Sequence, residues 1–273
     1  MTTRNIFLSY ASGSFIQARD ELCQSALAVG FDEARARGPE HLDPAFVEEN
    51  QDILSQSRGA GYWLWKPQII LQELRKLKED DVLVYSDAGR SSYYQFSSFP
   101  KNSIALAKQH RFLLGPTIGQ HGPMSKWTKR DVFVLLDMDK PEIHALPPIQ
   151  ATYSFWTPCK ESFDFLEEWL EACKDPRILT DIPNTQGLPN LDVFKDHRHD
   201  QSVLSLLAYK HNAMFLNYKD SILENILKLR PQSRASNLFL KRINDIEFKS
   251  NLGGILNLLK SFFELYWYKN DKY

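Results

Sequence analysis

The chain of 273 residues is long enough to bury a full hydrophobic core and lies near the upper size of one domain. Its composition, 43% hydrophobic and 25% charged residues with a formal net charge of −1, excludes a disordered chain and a protein that binds nucleic acid through bulk positive charge. We therefore expect one main domain over residues 1–217 and an appendage over residues 218–273.

The first elements predict the start of a nucleotide-binding half. Residues 6–10 form a short apolar run, typical of a buried strand, and a loop of small residues and a helix over 15–28 follow it. A strand, a loop and a helix in this order open a Rossmann-like unit, in which the ligand binds at the carboxyl end of the strand. Residues 30–59 are polar and weakly periodic, and they predict only loops and a short helix.

An aromatic segment over residues 59–67 precedes a helix predicted over 68–78, with Pro67 near its first turn. Lys66 lies at the start of this helix beside the rings of Tyr62 and Trp65. It could meet a phosphate, assisted by the positive end of the helix. It could equally be a solvated lysine beside core tryptophans.

Residues 82–85 predict a fully buried strand that ends at Ser86, Asp87, Ala88 and Gly89. A carboxylate in that position can ligate a divalent cation or accept a hydrogen bond from a ribose, and the small residues after it allow a ligand to approach closely. The alternative is an aspartate that caps a helix or closes a turn.

The second half of the main domain alternates predicted helices with one β-rich segment. Helices are predicted over 126–136 and 162–173, a strand lies within 149–156, and a loop of lid type covers 181–190. Residues 197–201 then initiate a helix over 202–210. The polar side chains of residues 197–201 either face solvent or line a water-filled cleft. The alternative for Asp200 is that it only caps the helix.

Taken together and in order, four motifs resemble those of a group of bacterial GT-A glycosyltransferase-like proteins of surface-polysaccharide synthesis. They are Gly-Tyr-Trp-x-Trp-Lys-Pro at 61–67, Tyr-x-Asp-Ala-Gly at 85–89, Trp-Thr-Lys-Arg-Asp at 127–131 and His-Asp-Gln-Ser at 199–202. The resemblance covers roughly residues 6–210. It implies an α/β, Rossmann-like nucleotide-sugar-binding catalytic domain of the GT-A type over 1–217, with a mixed central sheet, and a helical, basic and aromatic C-terminal appendage over 218–273.

The resemblance also implies the residues of the site. The expected donor-binding residues are Tyr62, Trp65, Lys66, Ser86, Asp87, Ala88, Gly89, Lys129 and Arg130, and the expected catalytic residues are His199, Asp200 and Gln201. Asp200 would lie by the donor sugar, as the comparable acidic residue does in retaining enzymes, so retention of the anomeric configuration is expected.

Two kinds of cation are candidates for neutralising the diphosphate. More distantly, the chain resembles mannosyl- and galactosyltransferases whose Asp-x-Asp motif follows a strand, and Asp87 matches the first aspartate of that motif. Gly89 replaces the second aspartate, the main metal ligand in those families. The expectation is a divalent metal, Mn²⁺ or Mg²⁺, with Asp87 as a ligand. The alternative is that Lys66, Lys129 and Arg130 neutralise the diphosphate instead.

The resulting hypothesis is a hexosyltransferase that moves a sugar from a nucleotide-sugar donor to a glycan or lipid-linked acceptor, in lipopolysaccharide or capsule synthesis. Two alternatives stay open. The missing second aspartate is compatible with a non-catalytic nucleotide- or carbohydrate-binding protein on the same scaffold, and a sugar-phosphate transferase is the other.

The remaining features concern location. Three cysteines without metal-like spacing favour a reducing compartment, and neither a secretory signal nor a run of about 20 apolar residues is recognisable. We expect a cytoplasmic protein, either free or peripheral on the inner face of the plasma membrane. Residues 252–268 have apolar positions at helical spacing within a basic tail, which suits an anionic membrane surface, or else a last helix that packs on the domain or on a second copy.

Overall fold

The computed structural model describes residues 3–89, 94–216 and 228–229. The chain divides into two units, residues 1–228 and 229–273, and all described residues except Leu229 belong to the first. Apart from the short strand Lys228–Leu229, the appendage predicted over 218–273, including its amphipathic stretch, lies outside the described residues. It stays a prediction.

A five-stranded mixed sheet forms the centre of the first unit, in the order β2, β1, β3, β6, β5. Its strands are β1 (Asn5–Tyr10), β2 (Glu33–Arg37), β3 (Val82–Ser86), β5 (Phe112–Leu114) and β6 (Tyr153–Trp156), while β4 (Tyr94–Gln95) and β7 (Lys228–Leu229) lie outside it. Strand β1 pairs in parallel with β2 and β3, and β6 runs antiparallel to β3 and β5. The predicted fold class, α/β with a mixed central sheet, is confirmed.

The helices follow the strands along the chain and cover both faces of the sheet. They are α1 (Ile16–Val29), α2 (Pro44–Glu49), α3 (Gln51–Leu54), α4 (Gly59–Tyr62), α5 (Trp65–Leu74), α6 (Lys101–His110), α7 (Arg130–Leu135), α8 (Pro141–His144), α9 (Lys160–Lys174), α10 (Pro176–Leu179) and α11 (His199–Lys210). Short 3₁₀ turns lie at Gly13–Phe15, Pro39–His41, Gly119–His121 and Met124–Lys126. No helix in the described ranges is both long and apolar enough to cross a membrane.

Alternation along the strands divides the core into two layers. On β1, Leu8 faces one layer and Phe7 the other, because successive side chains of a strand point to opposite faces. The larger layer holds apolar side chains of α5, α9 and α11, and the smaller one holds those of α1 and α6. The sheet is therefore covered on both faces, as parallel strands require.

The predicted elements overlap α1, α5, α7, α9, α11, β1, β3 and β6. The sequence analysis predicts neither α6 nor β5, and it also misses β2. This strand carries charged side chains at Glu33, Arg35 and Arg37, so its sequence lacks the apolar run of a buried strand. Arginines two residues apart lie on the same face of a strand. Here Arg35 and Arg37 both reach the carboxylate of Glu73 on α5, which explains why an edge strand of this composition is stable.

The carboxylate of Glu73 is fully buried and surrounded by three basic groups. Arg35 Nη1 donates to it at 2.9 Å, Arg37 Nε at 3.0 Å and Lys76 Nζ at 2.8 Å. Burial alone would raise the pKa of Glu73, but the hydrogen bonds from Arg37 and Lys76 lower it to about 2. This ion cluster therefore fixes the carboxyl-terminal half of α5 to the edge of the sheet.

We expect Glu73→Gln to lower the free energy of unfolding by about 3 kcal/mol at neutral pH, because it leaves buried arginines without their counter-charge. Since the folded protein keeps Glu73 ionised down to about pH 2, the loss should shrink as the pH falls from about 4.5 towards 2. Urea unfolding at several pH values measures both effects.

Glu167→Gln is the matched control, because Glu167 pairs with Arg75 on the surface, where both side chains are about half exposed. Exposed pairs contribute about 0 to 1 kcal/mol. Equal losses in the two variants would show that the buried cluster does not hold α5.

Candidate functional site

The candidate site lies at the carboxyl end of β3, where the starts of α5 and α11 meet the sheet. Its centre is the ammonium of Lys66, whose Nζ lies 2.9 Å from Asp200 Oδ2 and 3.2 Å from Asp87 Oδ1. Nζ also donates to the backbone carbonyl of Ala151 at 3.5 Å. Three segments that are far apart in sequence are thus joined through one side chain.

Lys66 is enclosed, with its side chain 3% exposed. Its ammonium lies 5.9 Å from the ring centroid of Trp65 and 6.0 Å from that of Tyr85, within the range of cation–π attraction. Burial would lower the pKa of Lys66, but Asp200 and Asp87 raise it above its ordinary value, so the group stays charged. Of the two alternatives for Lys66, the solvated lysine is wrong, because the side chain is buried. A contact with a phosphate stays a prediction, and in the structure the ammonium faces protein oxygens.

Asp87 is the accessible member of the cluster, with its side chain 30% exposed. Its backbone N–H donates to Thr152 O at 2.8 Å, and its Oδ1 accepts from the hydroxyl of Tyr85 at 2.5 Å. Tyr85 and Asp87 share a face because they are two residues apart on and just after β3. The carboxylate is therefore held in one orientation at the end of the strand, open to solvent on one side.

The residues on either side of Asp87 have small side chains. Ser86 is buried and its hydroxyl donates to the backbone carbonyl of Asp87 at 3.1 Å. Ala88 is buried against Ala11 and Ala18, and Gly89 has a φ of +70°. Small side chains on this side let a ligand approach the backbone closely.

Asp200 is the buried member, with its side chain 6% exposed. It lies in the first turn of α11, and its backbone carbonyl accepts from Trp169 Nε1 at 3.1 Å. Burial raises the pKa of Asp200 to about 6, although Lys66 lowers it. A carboxyl with this pKa changes its charge close to neutral pH, as groups at functional sites often do.

A run of left-handed backbone precedes α5. Five consecutive residues from Gly59 to Trp63 have φ between +50° and +95°. Such residues cost about 1–2 kcal/mol each unless they are glycine, and a β-carbon at Gly61 would lie 2.6 Å from the Cα of Leu54. Strained backbone of this kind persists only where the surrounding structure imposes it.

Aromatic contacts and a hydrogen bond hold the left-handed backbone of residues 59–63 in place. The ring of Trp63 stacks on His199 at 5.4 Å, and the ring of Tyr62 lies 4.9 Å from the same imidazole. Trp65 Nε1 donates back to Gly59 O at 2.9 Å, and the Trp65 ring stacks on Tyr10 at 3.9 Å. Trp65 is therefore part of the core, rather than an open face for a nucleotide base.

His199 and Gln201 flank Asp200 on α11. His199 Nδ1 donates to Leu179 O at 2.8 Å, and burial lowers the pKa of His199 to about 4, so the imidazole is neutral at physiological pH. Gln201 is half-buried, and its backbone carbonyl accepts from Ser205 Oγ at 2.7 Å. A neutral, hydrogen-bonded His199 supports the turn beside Asp200 and does not supply a charge.

The third motif, at 127–131, supports the loop after α10. Lys129 Nζ donates to Thr180 O at 3.3 Å and to Ile182 O at 2.8 Å, and Arg130 Nη2 donates to Asp139 at 2.8 Å. None of these contacts joins Lys129 or Arg130 to Lys66, Asp87 or Asp200. Both residues were predicted to bind the donor, whereas in the ligand-free structure protein oxygens take these protons.

Sequence reasoning missed two members of the cluster, the hydroxyl of Tyr85 and the backbone carbonyl of Ala151. The signal for Tyr85 was its position two residues before Asp87 on a predicted strand, which puts both side chains on one face. No sequence signal identifies Ala151, because any residue supplies a carbonyl.

The donor set does not fit the divalent metal expected at Asp87. Within residues 3–89 and 94–216, no group of three or more His, Cys, Asp and Glu side chains is placed to share an ion. The two carboxylates that do converge, Asp87 and Asp200, already have the ammonium of Lys66 between them. A divalent ion at the same place would face a fixed positive charge at short range.

Comparisons with known proteins add little to this geometry. No family model and no curated protein matches the sequence. The crystal structure of mouse xyloside xylosyltransferase 1, apo form, is similar with 11% identity and a TM-score of 0.42, over 79% of this chain and 84% of that one. A glycosyltransferase involved in the glycosylation of the major capsid of PBCV-1 is similar with 11% identity and a TM-score of 0.40, over 85% and 96% of the two chains. TM-scores below 0.5 establish no function for this chain.

We expect the stability of the wild-type protein to fall relative to Asp200→Asn as the pH rises from about 4 to about 6. The pKa of Asp200 in the folded protein, about 6, lies above the ordinary 3.8, so the unfolded chain releases this proton first. The difference between these two pKa values corresponds to a change of about 3 kcal/mol in the free energy of unfolding. Urea unfolding of both proteins at pH 4, 5, 6 and 7 measures the difference, which should level off above pH 6.

Asp52→Asn, at an exposed position, is the control and should follow the wild type. A pH-independent difference between Asp200→Asn and the wild type would contradict the assignment.

Proposed function

We propose that the protein is a glycosyltransferase that moves a hexose from a nucleotide-sugar donor to a glycan or lipid-linked acceptor. The observation that carries the proposal is the pairing, through Lys66, of an accessible carboxylate at the end of β3 with a buried carboxylate on α11. Open α/β sheets bind their ligands outside the carboxyl ends of the strands, which is where Asp87 lies.

Asp87 is proposed to accept hydrogen bonds from hydroxyls of the donor, on its ribose or its sugar. Its exposed carboxylate is held by Tyr85 and Lys66, so little conformational freedom is lost when a hydroxyl binds. The small residues Ala88 and Gly89 beside it would let the donor lie close to the backbone.

Asp200 is proposed to stabilise positive charge that develops on the donor sugar. Two carboxylates and one ammonium leave the cluster with a net negative charge when all are ionised. Such a cluster suits sugar hydroxyls and a cation-like transition state better than it suits a diphosphate. Retention of the anomeric configuration belongs to this proposal, and the configuration of the product, read by NMR, tests it.

The setting of the reaction is proposed from the sequence. We infer a cytoplasmic enzyme of lipopolysaccharide or capsule synthesis that works at the inner face of the plasma membrane. The support is the positive excess of the tail, in which eight basic residues from Arg230 onwards, namely Arg230, Arg234, Lys241, Arg242, Lys249, Lys260, Lys269 and Lys272, outnumber Asp245, Glu247, Glu264 and Asp271.

We expect Asp87→Asn to reduce donor-dependent release of nucleoside diphosphate about a hundredfold, equivalent to about 3 kcal/mol of transition-state stabilisation. The asparagine keeps the shape of the side chain and loses its charge. Release is measured with a panel of nucleotide sugars at saturating concentration, and Asp52→Asn should match the wild type.

The products also separate the alternatives. Near wild-type turnover in Asp87→Asn would remove Asp87 from the site. Release of the monophosphate would instead identify a sugar-phosphate transferase, and binding without release would identify a non-catalytic binding protein.

We expect the full chain to co-sediment with vesicles that contain anionic lipid, and to do so less at high salt, because each basic residue near such a surface contributes roughly 1 kcal/mol that salt screens. A chain in which Lys241, Arg242 and Lys249 are replaced by glutamine is the comparison. Equal sedimentation of the two proteins would show that the tail does not direct membrane association.

A further inference from the structure

The ammonium of Lys66 lies inside a group of oxygens of the kind that binds a hard cation. We call this group the cation cage: Asp87 Oδ1 and Oδ2 at 3.2 and 3.3 Å, Asp200 Oδ2 at 2.9 Å and the carbonyl of Ala151 at 3.5 Å from Nζ. Carboxylate and carbonyl oxygens are the ligands that Mg²⁺ and Ca²⁺ take in proteins. In this protein the ammonium of Lys66 lies among these oxygens, in the place of such an ion.

The position of Lys66 is fixed from several sides. Its backbone N–H donates to Trp63 O at 2.9 Å, at the end of the left-handed run. Its ammonium lies 5.9 Å from the ring centroid of Trp65 and 6.0 Å from that of Tyr85. Glu73 holds the other end of the same helix to β2. With 3% of its side chain exposed, Lys66 is buried, and its ammonium occupies the position that a metal ion would need.

We infer that Lys66 is the resident cation of this site and stands in the place of a divalent metal, so that a ligand binds at Asp87 without one. The nature of that ligand, a nucleotide sugar, rests on the proposed function; the occupation of the cage by Lys66 does not. The missing second aspartate at Gly89 agrees with the inference, because a site with a built-in cation needs no further metal ligand.

The inference makes a prediction about metal affinity that needs no enzymatic activity. Lys66→Ala removes the ammonium and leaves Asp87, Asp200 and the carbonyl of Ala151 facing an open space. We expect this variant to bind Mn²⁺ with a dissociation constant at least tenfold lower than that of the wild type. Titration of the full chain with MnCl₂ alone, with free Mn²⁺ followed by electron paramagnetic resonance, measures both.

Two variants make the result specific. Lys129→Ala removes another buried lysine whose described hydrogen bonds go to the carbonyls of Thr180 and Ile182, so it should gain no Mn²⁺ affinity. Lys66→Ala combined with Asp200→Asn should lose the gain, because one carboxylate of the cage is gone. Circular dichroism confirms that each variant is folded before it is titrated.

The outcomes separate the inference from the proposed function. Wild-type protein that binds Mn²⁺ as tightly as Lys66→Ala, or a folded Lys66→Ala that binds none, overturns the inference. If Lys66→Ala does not fold, thermal shifts of the wild type with UDP, GDP, CDP and ADP decide: equal shifts in EDTA and in Mn²⁺ support the inference, and shifts that require Mn²⁺ overturn it. Absence of any nucleotide-dependent shift, together with the predicted Mn²⁺ difference, would refute the nucleotide-sugar ligand and leave the cage assignment standing.

Discussion

The candidate site of this protein depends on one buried charge, the ammonium of Lys66. An ion taken out of water must be compensated by charges and dipoles of the protein, and here Asp87, Asp200 and a backbone carbonyl provide that compensation. Removing the ammonium would leave the two carboxylates without their counter-charge, which costs about 3–5 kcal/mol. The cluster therefore fixes the relative positions of β3, α5 and α11.

The surrounding structure holds that charge in place at both ends of α5. At its start, the left-handed run from Gly59 to Trp63 is kept by aromatic contacts with His199 and by the stacking of Trp65 on Tyr10. At its other end, Glu73 joins the helix to the arginines of β2. Backbone strain and charge burial are both unfavourable locally, and the packed core of the sheet and its helices offsets them.

The two carboxylates differ because their surroundings differ. Asp87 lies at the carboxyl end of β3, with part of its carboxylate in solvent, whereas Asp200 is buried and its pKa is raised by that burial. Paired carboxylates in unlike environments can take different roles in one reaction, one accepting hydrogen bonds from the substrate and the other responding to charge that develops during the reaction. In the proposed transfer these roles fall to Asp87 and Asp200 respectively.

The sequence by itself determined the elements whose patterns are local. The apolar run of β3, the amphipathic periodicity of α9 and the residue types of the four motifs were enough to predict an α/β domain and to single out Lys66, Asp87 and Asp200. It could not determine β2, because Arg35 and Arg37 are acceptable on this edge strand only when Glu73 neutralises them from another element. Nor could the sequence predict that the ammonium of Lys66 lies against two carboxylates. It also could not predict that Lys129 donates to backbone carbonyls of the loop after α10. Those contacts join residues that lie about 20 to 130 positions apart, and only the folded chain sets which oxygens a buried ammonium meets.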